Sequence, residues 1–150
     1  MTSSQTIENR HNWQVPAFEV PFWLGREHQN CVIIPVINEG GRIKNLLTRM
    51  AACDVGLAAD ILIVDGGSTD GSLALQTLQE VGVRGLIIKT GAGKLSAQLR
   101  CAYSFALDQG YTGIITIDGN DKDDPAAIHR FIEALAVGVD FVQASRYLVG

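Results

Sequence analysis

Cysteine is scarce in this sequence: Cys31, Cys53 and Cys101 stand far apart, with no C-x-x-C pair. Three thiols cannot all pair, which points to buried free cysteines in a reducing compartment and away from a disulfide scaffold. No apolar run approaches the roughly 18 residues a membrane helix needs. The opening "MTSSQTIENRHNWQ" has neither the basic start nor the apolar centre of a signal peptide, so the chain reads as cytoplasmic. Lys and Arg nowhere form a block, and the net charge is −4. That excludes nucleic acid as the main partner, because phosphate contacts need clustered cations. Only His11, His28 and His129 are present, without the close spacing of metal ligands, and each reads as a surface residue. A G-x-S-x-G elbow is also missing, which leaves a hydrolase triad without support.

What is present is an apolar-rich chain, 47% hydrophobic and 19% charged, of a length that makes one domain with a real core. Residues 1–29 are polar with scattered aromatics (Trp13, Phe18, Phe22, Trp23). Pro16 and Pro21 argue against a helix or central strand there, so this segment reads as an N-terminal arm packing on the domain 30–150 by its aromatics. From Cys31 the pattern becomes regular. "CVIIPVI", "DILIVD", "VRGLIIK", "GIITID" and "VDFVQAS" read as strands buried on both faces. Between them lie helices with Ile43, Leu46, Leu47 and Met50, with Leu75 and Leu78 after an Asp70 cap, with Leu95, Leu99, Ala102, Tyr103 and Ala106, and with Ile128, Phe131, Ile132 and Leu135 after Pro125. This β-α alternation predicts an α/β fold: a Rossmann-like, mostly parallel sheet with helices on both faces.

In such sheets ligands bind beyond the carboxyl ends of the strands. The polar clusters "NEGG", "DGGSTD", "TGAGK" and "DGNDKDD" all follow strands, so the fold should gather them on one rim. Individually they fit no standard ligand loop. "TGAGKLS" has Ile88 where a phosphate loop needs its first glycine, and Leu95 where it needs Ser or Thr. As a dinucleotide fingerprint it has Gly91 and Gly93 but Ser96 at the third glycine position. What remains is a glycine-rich turn entering a helix with Lys94 beside it, a candidate anion site. "DGNDKDDP", tried as a calcium loop from Asp118, has Asp123 in place of glycine and His129 in place of the closing glutamate.

Taken in order, the clusters resemble family 2 glycosyltransferases of the GT-A fold. "VIIPVINEGG" resembles the family's I-P-x-x-N-E segment and "ILIVDGGSTDGS" its V-D-D-G-S-x-D segment. "GKLSAQLRCAYSFALDQG" is similar to its glycine-rich turn and helix, and "IITIDGNDKDDP" to its D-x-D segment. "QASRYLVG" looks like the G-S-R-[FY] segment of the dolichol- and polyprenyl-phosphate sugar synthase branch. Each motif alone is weak; five in the family's order, from Cys31 to Gly150, are strong together.

The resemblance implies an inverting transfer of a sugar from a nucleotide-diphosphate sugar to an acceptor, a lipid (polyprenyl) phosphate or a glycan. It carries with it a peripheral contact with the inner face of a membrane. It assigns Pro35, Glu39, Asp65, Gly67, Lys94 and Asp118 to nucleotide binding. Asp118 and Arg146 become the catalytic pair, the arginine facing phosphate oxygens. It also implies Mg2+ or Mn2+ on Asp118 and Asn120. The departures are Gly66 for the second aspartate of V-D-D, Asn120 for the second of D-x-D, and Lys122 nearby. They leave two options, a weakened metal site or a lysine supplying part of the positive charge. Family members run on into an acceptor-binding half, so the end at Gly150 implies a truncated domain. Three rivals stand beside transfer: a non-catalytic nucleotide-sugar-binding fragment or decayed copy; a sugar-nucleotidyltransferase, whose G-x-G-x-R segment "NEGGRI" imitates poorly; and a purely structural α/β domain whose four polar clusters are solvated turns.

Overall fold

A computed structural model describes residues 14–119, 124–136 and 141–143. Six strands form one sheet: β1 (Phe18–Trp23), β2 (Asn30–Val36), β3 (Asp60–Asp65), β4 (Gly85–Lys89), β5 (Gly113–Thr116) and β6 (Phe141–Gln143). The helices are α1 (Gly41–Ala52), α2 (Leu75–Glu80), α3 (Leu95–Asp108) and α4 (Ala127–Ala136), with a 3-10 turn at Val55–Leu57. The spatial order is β1-β4-β3-β2-β5-β6. All neighbouring pairs are parallel except β1 with β4. The strand order therefore turns back between β2 and β5, which leaves a crevice outside their carboxyl ends.

Alternation along each strand feeds two cores. Val32, Ile34, Ile61, Ile63 and Ile115 face a layer built with Ile43, Leu46, Leu47 and Met50 of α1, Leu78 of α2 and Ile128 of α4. Cys31, Ile33, Leu62, Val64 and Ile87 face the other side, against Cys101, Ala102, Phe105 and Ala106 of α3. The i, i+3, i+4, i+7 stripe of α1 is fully buried, as its spacing predicts.

Three readings need correction. The buried stripe of α3 is Ala97, Gln98, Cys101, Ala102, Phe105 and Ala106, whereas Leu95 is 54% exposed at the first turn. Small residues let α3 lie close on the sheet, and they give a faint hydrophobic period. Asp70 caps no helix: α2 starts at Leu75 behind Ala74, and Asp70 instead accepts bonds from Ser72 and from Gly40 N. His28 and His129 are partly buried rather than superficial, because each ring nitrogen has a partner, Asp60 and the Cys53 carbonyl oxygen respectively. His11 lies outside the described residues.

The N-terminal segment packs by its apolar side chains, Val15, Phe18, Val20 and Trp23 against the α3 face, with Trp23 edge-on to Phe105 at 5.1 Å. It also supplies a strand. Pro21 is compatible with β1 because the strand is at the sheet edge and its pairing shifts between Glu19 and Phe22. Cys31 and Cys101 are buried free thiols, with Cys53 half-buried. Burial, helped by the Asp60 charge, pushes the Cys31 thiol far above its ordinary range. Among the described residues no helix is long and apolar enough to cross a membrane.

Candidate functional site

The loops after β2, β4 and β5 meet at the crevice. A cleft of about 450 Å³ is lined by Pro35 and Val36 at the end of β2 and Ile37 and Glu39 just after it, and by Lys89 at the end of β4, Gly93 and Lys94 in the turn that follows, and Leu95 and Gln98 of α3. Gly66 and Asp118 complete its lining. The β2 and β5 ends approach closely: a side chain at Gly119 would meet the Pro35 carbonyl oxygen at 2.9 Å. Gly93 has φ +117 and its missing side chain would run into Ala97, so only glycine lets this turn enter α3 so tightly.

Of the residues expected to bind nucleotide, Pro35, Glu39, Lys94 and Asp118 line this one cleft. Lys94 stands at the N-terminus of α3, where free backbone N–H groups and the helix dipole add to its charge. Lys89 is a second amine, one that no motif marks. It sits at the end of β4, and its Nζ donates to the Gly91 carbonyl oxygen at 2.8 Å. Two amines at a helix N-terminus suit a diphosphate. Glu39 is mostly buried; its Oε2 lies 3.0 Å from Arg42 Nη2 but without hydrogen-bond geometry, and has no other partner among the described residues.

Asp65 and Gly67 do not line the main cleft. Asp65 closes β3 and borders a neighbouring cavity of about 340 Å³ with Ser68, Ser72, Leu86 and Ile88. Its Oδ1 accepts bonds from Gly67 N (3.1 Å), Ser68 N (2.9 Å) and Ser68 Oγ (2.7 Å). Asp65 thus folds its own loop first, with Gly67 at φ +115 making the turn. That loop clasps the one after β2: Asn38 N donates to Ser68 Oγ, Asn38 Oδ1 accepts from Thr69 N, and Gly40 N donates to Asp70. The "NEGG" and "DGGSTD" motifs therefore stabilise each other. Asn120, Lys122 and Arg146, expected as metal ligand, local cation and phosphate ligand, lie outside the described residues.

A residue that sequence reasoning missed lies at the floor of the cleft. Gln98, buried on α3, donates its Nε2 hydrogens to carbonyls near the ends of β2 and β3, Val36 O at 2.9 Å and Val64 O at 2.7 Å. It links the two strand ends that carry the binding loops. No sequence signal marks it, since polar residues on a helix ordinarily face water.

As a cation site, the described part of the cleft offers two carboxylates, Glu39 and Asp118, beside two amines. That is no closed metal cage. It fits a hard cation held by one carboxylate and completed by phosphate oxygens. The one compact trio of metal-ligating side chains among the described residues, Glu27, His28 and Asp60, lies at the opposite end of the strands. There Asp60 Oδ2 already takes Glu27 N, His28 N and the Tyr111 hydroxyl, and Oδ1 takes His28 Nδ1. Arg84 Nε stands 4.0 Å from Oδ1 as well, so this trio is a structural clamp. Burial by itself would raise the Asp60 carboxyl. The bonds from Tyr111, Glu27 N and His28 outweigh it and hold the group below the usual carboxylate range.

The family model described as Glycosyl transferase family 2 matches residues 31–150. This chain belongs to that family. Its relatives include the polyprenol monophosphomannose synthase of Mycolicibacterium smegmatis, 30% identical over 89% of this chain and 51% of that protein. The undecaprenyl-phosphate 4-deoxy-4-formamido-L-arabinose transferase of Pseudomonas aeruginosa is 35% identical over 77% of this chain and 34% of that protein. The chain thus spans about half, or less, of the length of these family 2 relatives. In fold it is similar to glucosyl-3-phosphoglycerate synthase of Mycobacterium tuberculosis, a structure solved with Mn2+, UDP and glucosyl-3-phosphoglycerate. The TM-score is 0.53 at 22% identity, over 76% of this chain and 41% of that one. The similarity supports a GT-A-type sheet.

Proposed function

We propose that this chain is the nucleotide-diphosphate-sugar-binding part of an inverting glycosyltransferase whose acceptor is a polyprenyl phosphate. The observation that carries the reading is the cleft at the carboxyl ends of β2 and β5. It gathers Lys89, Lys94 and the N-terminus of α3 in one cleft with Asp118 and Glu39. A diphosphate lies at the amines and helix N-terminus, where its charge is met by fixed dipoles and cations. Glu39 and Asp65 are the carboxylates for the nucleoside. Asp118 with Asn120 would hold Mg2+ or Mn2+ together with phosphate oxygens, and the bound cation would neutralise the leaving diphosphate.

Lys89 and Lys94 supply part of the same neutralisation from the protein. Arg146 is assigned to phosphate oxygens. The family relatives named above point to a lipid phosphate as acceptor. That group is already ionised, so its oxygen attacks the anomeric carbon without much base catalysis. Such an acceptor places the working enzyme at the cytoplasmic face of a membrane.

The test is calorimetric titration of UDP and GDP with and without Mn2+, on the wild type and on Asp65→Ala. At least one nucleotide is expected to bind, more tightly with Mn2+, and Asp65→Ala to weaken it. Absence of binding under every condition would sink the reading.

A further inference from the structure

We propose that Gln98 is a specificity residue for the nucleoside of the donor, its side-chain carbonyl accepting a hydrogen bond from a base N–H or a ribose hydroxyl. The inference rests on the cleft being a nucleoside-diphosphate site. Gln98 is only 4% exposed, yet it lines the cleft. Both hydrogens of its Nε2 are committed, to Val36 O and Val64 O. Turning the amide over would set its oxygen against those two carbonyl oxygens, so the network itself fixes which end is the acceptor.

Oε1 accepts no bond among the described residues. It opens to the cleft that Gln98 lines, and an acceptor so placed is met by water or by a ligand. The space beside it exists because residue 66 is glycine. A side chain there would put its Cβ 3.0 Å from Oε1 and 3.3 Å from Cδ. Gly66 also lines the cleft, so the opening at 66 and the acceptor at 98 form one feature.

A lone acceptor held in place selects ligands that present a donor, and penalises analogues that lack it. Diphosphate oxygens carry no hydrogen at neutral pH, so this acceptor repels the phosphate end of the donor. That orients the molecule: phosphates toward Lys89 and Lys94, nucleoside toward Gln98.

Two variants separate this role from mere support of the fold. Gly66→Ala keeps both amide hydrogens of Gln98 and places a methyl 3.0 Å from Oε1, so the amide gives way by a few tenths of an ångström and its acceptor is covered. The glycine has no left-handed backbone to strain. Gln98→Met removes the acceptor and the donated bonds together. Each is titrated with UDP, GDP, their 2′-deoxy and 3′-deoxy counterparts and pyrophosphate, all with Mn2+, alongside thermal unfolding.

We expect Gly66→Ala to weaken the preferred nucleoside diphosphate about tenfold, with pyrophosphate affinity and unfolding temperature nearly unchanged. Gln98→Met should weaken it at least as much and also unfold earlier. If a deoxy analogue already binds weakly to the wild type and loses nothing further in Gly66→Ala, a ribose hydroxyl is the donor. If both deoxy analogues lose the full factor, it is a base N–H. Wild-type affinity for UDP and GDP in Gly66→Ala would overturn the proposal alone, as would equal losses for nucleotide and pyrophosphate. A wild type that binds no nucleotide would overturn it together with the reading beneath it.

Discussion

The two ends of the sheet use the same kinds of residue in opposite ways. At the amino ends of the strands, Asp60 is buried with Tyr111, His28 and two backbone N–H groups on its oxygens. Arg84 braces the same corner through Leu24 O, Gly25 O and Glu27. At the carboxyl ends, Gln98 Oε1 accepts no hydrogen bond from the described residues, and Glu39 Oε2 meets the Arg42 guanidinium without hydrogen-bond geometry; both residues line the cleft. A carboxylate saturated by its own chain holds a fold together; acceptors left open at a cleft are available to something else. Side-chain type alone does not separate the two ends, since Glu27, His28 and Asp60 form the more compact metal-like trio.

The sharpest way to break this contrast is to remove Asp60. Asp60→Ala strands the Tyr111 hydroxyl and two backbone donors, and should cost about 3–5 kcal/mol in urea unfolding. Nucleotide affinity should stay within about twofold if the amino end is purely structural. The same carboxyl sets an acid limit. Its pKa is lower folded than unfolded, so its contribution is present above the unfolded value of about 3.9 and is lost as pH falls through the folded value. Stability measured from pH 5 downward should therefore fall, and Asp60→Asn should flatten that fall.

At the other end the signs reverse, with binding affected and stability spared. Lys94→Ala should weaken nucleoside diphosphate about tenfold by calorimetry, close to 1.4 kcal/mol. The unfolding temperature should hardly move, since Lys94 is exposed. Lys89→Ala should do somewhat less for binding and slightly more to stability, because its Nζ also ties Gly91 O. The smallest effect is expected for Asp118→Asn. It should leave metal-free nucleotide affinity in place and abolish the gain from Mn2+; an undiminished gain would remove Asp118 from the cation site.

Much of this fold was legible from pattern. The β-branched runs of β2 and β3 and the stripe of α1 announced themselves because apolar periodicity reports which face is dry. The edge strand β1 was not legible, because proline argues against a strand whose edge position only the assembled sheet reveals. α3 was misread for a related reason: its buried face is mainly alanine and cysteine, and its leucine at position 95 points to solvent.

For the site, chain order placed four polar loops after strands, and parallel topology then required them to share a rim. Motif order was enough to suggest the family and to choose Pro35, Glu39, Lys94 and Asp118. What sequence could not separate was the division of labour within that rim. Asp65 turned out to organise its own loop and border a second cavity, while Gln98 and Lys89 entered the first.

The reason is physical. Local propensity and periodicity act over a few residues and determine strands, helices and the end of the sheet where loops gather. Whether a polar atom is satisfied depends on partners far away in the chain, such as Gln98 on Val36 and Val64, or Tyr111 on Asp60. Those pairings exist only once the sheet has closed, so the tertiary structure alone decided which polar groups support the fold and which face the cleft.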